Sequence, residues 1–364
     1  MRIRGLHYRT IWPADTEDAV DIIDQTALPH RFDVLRLKTL AGMVQAIKTM
    51  QVRGAPLIGA AAAYGMALAL REQADDDRLR QVGRILCGSR PTAVNLRWAV
   101  QRMEQRLLKV PVSQRADAAW QEAACICDED VQQNEAIGNH GLALLQTMHL
   151  KRGRALNVLT HCNAGWLATV DWGTALAPVY RAFDSGIPVH VWVDETRPRN
   201  QGASLTAWEL AQHGVPHTVI VDNAGGHLMQ RGQVDMVLVG ADRVTACGDV
   251  CNKIGTYLKA LAAHDNQLPF YAAVPSPTID WNMRDGLREI PIEQRDPAEV
   301  ATISGRLPDG SIAGVALLPE GSSAANPAFD VTPARLVSGI ITERGVAKPA
   351  RLASLFLKDG ETPG

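Results

Sequence analysis

Cys162 follows the apolar run 156–160, where a buried strand should end and a turn begin. A thiol at such a point can be a nucleophile, a proton carrier or simply a small hydrophobe. Asp242 stands directly after another very apolar run, 237–241. A carboxyl held against apolar surroundings keeps its proton to higher pH and can donate it near neutrality. Arg243 opposes that effect if it turns toward the carboxyl, and an aspartate here can equally cap the next segment. Arg53-Gly54-Ala55-Pro56 supplies a different chemistry. Proline suits the first turn of a helix, glycine lets a ligand approach the backbone, and free N–H groups attract anions that a neighbouring arginine can grip. The alternative is an arginine capping a surface turn. Ser89-Arg90-Pro91-Thr92 repeats the arrangement and reads as a proline-led helix running to Leu107. Asn252-Lys253 reads as the start of a helix over 254–263, where lysine opposes the helix dipole unless an anion or solvent compensates.

Other chemistries are disfavoured. Cys125 with Cys127, and Cys247 with Cys251, lack the second Cys or His pair of a structural zinc site, so no metal is expected. No strand is followed by a dinucleotide-binding glycine fingerprint or a Walker sequence. Gly202-Ala203-Ser204 does not build a nucleophile elbow. His161 adjoins Cys162, but neighbours at a strand end face opposite ways, so a structural role is expected for it.

The elements that must position these groups fall into two regions. Residues 1–150 read as a mainly helical domain, after an extended start over 3–12. Leu40, Met43, Val44 and Ile47 recur at helical spacing, 60–71 reads as a small-residue helix, and 114–145 as one long helix. Residues 151–364 read as a Rossmann-like domain. Short β-rich runs at 156–160, 189–193, 217–221, 236–239 and 270–274 alternate with helical lengths, the pattern of a doubly wound parallel sheet in an α/β fold. Each run ends in a polar or glycine-rich segment, and ligands bind beyond the carboxyl ends of such strands. The chain end from Asp359 is expected to fray.

The chain of 364 residues carries a formal charge of −2, which supplies no global basic field for nucleic acid or an anionic membrane. Residues 1–13 lack the apolar core of a signal peptide, and the longest apolar stretch, 60–70, is about half a bilayer span. A soluble, cytoplasmic protein with reduced cysteines is expected.

A series of motifs stands in order: Arg53-Gly-Ala-Pro-Leu-Ile-Gly59, Ser89-Arg-Pro-Thr-Ala-Val-Asn-Leu96, His161-Cys-Asn-Ala-Gly165 and Asp194-Glu-Thr-Arg-Pro-Arg-Asn-Gln-Gly202. Asp222-Asn-Ala, Gly240-Ala-Asp-Arg243, Asn252-Lys-Ile-Gly-Thr256, Pro275-Ser-Pro-Thr-Ile-Asp280 and Asn326-Pro-Ala-Phe-Asp-Val-Thr-Pro333 follow. From about Thr10 to about Val346 the series resembles the methylthioribose-1-phosphate isomerase family. That family lies in a superfamily with regulatory subunits of a eukaryotic translation-initiation guanine-nucleotide exchange factor. The resemblance implies a homodimer without cofactor or metal, acting on a small sugar phosphate in a methionine-salvage type of reaction. By position it makes Cys162 and Asp242 the catalytic thiol and acid. Arg53, Gly54, Ala55, Arg90, Gln201, Asn252 and Lys253 fall on substrate-binding positions. The rival expectations are a sister isomerase acting on 5-deoxyribose 1-phosphate or ribose 1,5-bisphosphate, and a non-catalytic regulatory protein of the same fold.

Overall fold

The computed structural model describes residues 1–15 and 18–357, so the fraying expected from Asp359 lies outside the described residues. The chain opens with a short hairpin of β1 (Arg2–Ile3) and β2 (Leu6–His7). An antiparallel sheet of β3 (Ile11–Pro13), β4 (Val20–Ile23) and β5 (Val34–Leu37) follows. Helices then dominate: α1 (Leu40–Lys48), α2 (Ala55–Leu70), α3 (Asp76–Ser89), α4 (Val94–Leu107) and α5 (Arg115–Arg152). Thr39 and Asp75 cap α1 and α3 by accepting from Gly42 N and Arg78 N, which satisfies otherwise orphaned donors. Helix α2 is buried nearly all round, and its run of alanines lets α4 and α5 pack closely against it.

Two sequence readings need correction here. Arg90 and Pro91 do not open a helix. Pro91 disfavours helical backbone at the residue before it, so α3 stops at Ser89 and α4 starts only at Val94. Helix α5 runs past the expected 145 to Arg152 and stops at Gly153, whose φ of +65° terminates it. Its first half shares a core with α1–α4 through Ile126 and Cys127, and its second half joins another core through Ile137 and Leu145.

That second half lies on a region of alternating strands and helices: β6 (Leu156–Thr160), α6 (Leu176–Asp184), β7 (Val189–Asp194), α7 (Ala207–His213), β8 (His217–Ile220), α8 (Ala224–Gln230) and β9 (Met236–Val239). After it come β10 (Arg243–Thr245), β11 (Val250–Lys253), α9 (Thr256–Asp265), β12 (Phe270–Ala273) and β13 (Ile279–Asp280). A hairpin of β14 (Thr302–Arg306) and β15 (Ile312–Ala316) precedes β16 (Phe329–Thr332), β17 (Gly339–Thr342) and β18 (Gly345–Ala347). The main sheet has seven strands in the order β18-β17-β12-β9-β6-β7-β8, all parallel except β18. The fold is therefore α/β, with a helical N-terminal region and a doubly wound, mostly parallel sheet. From β6 the chain builds outward through β7 and β8, then returns to place β9 on the other side of β6. The crevice between β6 and β9 is thus the topological switch point, where such sheets bind ligands. A smaller sheet, β13-β10-β11-β16, stands beside it and was not foreseen from the sequence.

Candidate active site

The site grows from the carboxyl ends of β6 and β9. Cys162 lies just past β6 with φ +65°, a left-handed conformation uncommon for any residue but glycine or asparagine. Such strain persists only where neighbours enforce it. Here Cys162 N donates to Thr196 Oγ1 at 2.9 Å, and Thr206 Oγ1 donates to Cys162 O at 2.7 Å. Thr206 closes the π-helical turn Gly202–Thr206, a geometry that frequently marks functional sites, and Gln201 immediately precedes it. The Cys162 thiol points toward Gln201 Oε1 at 3.5 Å. His161 turns elsewhere, with Nδ1 3.0 Å from Asp194 Oδ2 and Nε2 2.8 Å from Ile254 O.

Asp242 follows β9, its N–H donating to Cys251 O at 2.9 Å. The packed surroundings push its carboxyl above the ordinary range, against opposing pulls from Lys253, Arg90 and Arg53. Burial likewise pushes the Cys162 thiol up, against Arg53 and Lys253. Both shifts favour the protonated forms.

Cationic groups surround this pair. Arg53 is buried and donates through Nη1 to Asn163 Oδ1 and through Nη2 to Asn163 O, the latter at 2.7 Å. Gly54 caps α2 at φ +90°, and a Cβ there would meet Ala168 O at 2.5 Å, so only glycine fits. The N-terminus of α2 consequently faces the cavity through Gly54 and Ala55. Arg90 comes from the end of α3, with Nε and Nη1 buried and unpartnered and Nη2 a distant 3.5 Å from Glu293. Lys253 corrects another expectation, because it ends strand β11 rather than starting a helix; α9 begins only at Thr256. Pairing of β11 with β16 holds Asn252 and Lys253 in extended backbone. The Lys253 ammonium lies 4.8 Å from the centre of the Phe329 ring, and burial lowers its pKa. Among the described residues, neither Arg53 nor Lys253 has a carboxylate within ion-pairing distance.

Cys162, Asp242, Arg53, Gly54, Ala55, Arg90, Gln201, Asn252 and Lys253 all line one cavity, with about 660 Å³ of atom-free space including its open mouth. The segments after β8 and β12 do not line it. Asp222 instead accepts from Thr196 N and Arg197 N at 2.7 and 2.8 Å, bracing the turn behind Cys162. Sequence reasoning missed Asn163, Arg295 and Phe329 on the wall, and Glu209 behind it. Asn163 lay in plain view beside Cys162, whereas a single glutamate in a helix carries no signal of its own. His161, Asp194 and Asp222 bring metal-ligand atoms within 4.8 Å of one another. Lys259 Nζ already sits 3.1 Å from Asp194 Oδ2, and the partners given above engage the other groups, so this cluster fits a cation poorly.

Comparison with known proteins identifies the family. Residues 51–349 match the Initiation factor 2 subunit family. A methylthioribose-1-phosphate isomerase from Rhodospirillum rubrum is 62% identical, with 100% of this chain and 95% of the relative covered. The crystal structure of 5-methylthioribose 1-phosphate isomerase from Pyrococcus horikoshii OT3 is 40% identical with a TM-score of 0.82, covering 98% of this chain and 99% of the other. Translation initiation factor eIF-2B, subunit delta, from A. fulgidus is 38% identical with a TM-score of 0.77, covering 95% and 98%. The chain belongs to the Initiation factor 2 subunit family and, within it, stands with the methylthioribose-1-phosphate isomerases.

Proposed function

We propose that the chain is an aldose–ketose isomerase converting 5-methylthioribose 1-phosphate to 5-methylthioribulose 1-phosphate. The observation that carries this reading is a single cavity where Cys162 and Asp242 stand among Arg53, Arg90 and Lys253. The α2 N-terminus and those cations suit a phosphate, and the Gln201 and Asn252 amides suit sugar hydroxyls. Phosphate on the anomeric oxygen prevents the ring from opening as a free hemiacetal does. Asp242, held protonated, donates to the ring oxygen as its bond to C1 breaks. Hydrogen then moves from C2 to C1 by one of two routes. In the first, Cys162, its thiol proton first released to solvent, takes the C2 proton to give an enediol, then returns that proton to C1 while the C2 hydroxyl proton passes to the Asp242 carboxylate. In the second, the C2 hydrogen shifts to C1 with its electron pair while the C2 hydroxyl gives its proton to the Asp242 carboxylate. Deuterium placed at C2 separates them, since only the second retains it fully at C1.

The enzyme works as a homodimer, a reading the family resemblance supports, in the cytoplasm and with 1–150 and 151–364 as its domains. The test is turnover of the 5-methylthio, 5-deoxy and 5-phospho aldose 1-phosphates compared side by side. Highest kcat/KM for the 5-methylthio substrate is expected, and preference for the 5-phospho substrate would reject that assignment.

A further inference from the structure

Arg53 is a buried cation whose two terminal nitrogens both rest on one amide residue. Its Nη2 donates to Asn163 O at 2.7 Å and its Nη1 to Asn163 Oδ1. Asn163 Nδ2 in turn donates to Glu209 Oε1 at 2.7 Å and to Thr206 Oγ1 at 3.1 Å. Glu209 is fully buried on α7, and its other oxygen accepts from Leu167 N at 3.2 Å. A Cβ on residue 165 would lie 1.6 Å from Glu209 Oε1, so the glycine backbone is what admits this carboxyl.

We propose that Asn163 and Glu209 are positioning residues, a carboxyl–amide relay that orients Arg53 toward the substrate phosphate without neutralising it. This rests on the phosphate role proposed above for Arg53. Glu209 as acceptor dictates which way the Asn163 amide faces, because its NH₂ must point to the carboxyl and its oxygen to the guanidinium. The interposed amide keeps the carboxyl from pairing with Arg53 directly, which leaves the positive charge for a ligand. Burial pushes the Glu209 carboxyl up to about 8, in keeping with an acceptor that need not be ionised. The same amide reaches Thr206, which holds Cys162 O, so the relay ties the phosphate grip to the thiol's turn.

The experiment is steady-state kinetics of the full chain with the phosphorylated aldose, using three variants and the wild type. The double variant Asn163→Asp with Glu209→Gln preserves the hydrogen-bond link but moves the carboxylate onto Arg53. It is expected to raise KM roughly tenfold or more while kcat changes far less, as loss of a charge-assisted contact would. A correctly folded double variant with wild-type KM overturns the relay. Should that variant fail to fold, Glu209→Leu asks the same question by removing the acceptor: raised KM supports the relay and unchanged KM overturns it. Arg53→Ala separates the two readings. Unchanged KM there overturns the phosphate role and the relay together; raised KM there beside unchanged KM in the double variant overturns the relay alone.

Discussion

Asp242 should impose its own pH dependence on turnover. Its carboxyl is raised by its packed surroundings, and the reaction needs the protonated form, so kcat is full at lower pH and falls as pH rises through the shifted pKa. The limb should lie above the ordinary carboxylate value of 3.8. A kcat profile that instead rises with pH across this range would show that the ionised form acts. Much of this chemistry was legible in the chain itself. Cys162 and Asp242 each follow an apolar run, and Arg53 precedes a glycine whose φ of +90° the helix start requires. What escaped notice has a common physical cause. Glu209 and Phe329 act through packing across elements distant in sequence, and nothing local distinguishes them from a surface acid or a core aromatic.

Among the elements, α5 carries the longest span of contacts, since it joins two cores and packs along α6. Gly141 permits that approach, because a Cβ there would lie 2.2 Å from Pro178 Cγ. Gly141→Ala is therefore expected to destabilise the fold by roughly 1–3 kcal/mol, even though alanine is the better helix former. Urea denaturation checks this, and a variant as stable as the wild type would contradict the packing. The turnover of the folded fraction should be unchanged, as Gly141 is not among the residues that line the cavity. Helices and parallel strands were readable as periodicities. The sheet of β10, β11, β13 and β16 was not, because strands of two to four residues set by non-local pairing leave almost no pattern. That is why Lys253 was read as a helix start: Ile254 onward has helical spacing, while pairing with β16 holds residues 250–253 extended.

For the whole molecule, the order of strands explains why residues so far apart in sequence meet. Reversal of direction at β6 puts the ends of β6 and β9 side by side, delivering Cys162 and Asp242 to one crevice. The helical region covers that crevice with Arg53, Gly54 and Arg90, so neither region alone contains the site. The most direct measurement is turnover of 5-methylthioribose 1-phosphate by the wild type, Cys162→Ser and Asp242→Asn, with circular dichroism of each. Ketose formation by the wild type, and a loss of at least ~10²-fold in either variant with an unchanged spectrum, is the expected result. Near-wild-type turnover in either variant would contradict the pairing of thiol and acid over one phosphosugar.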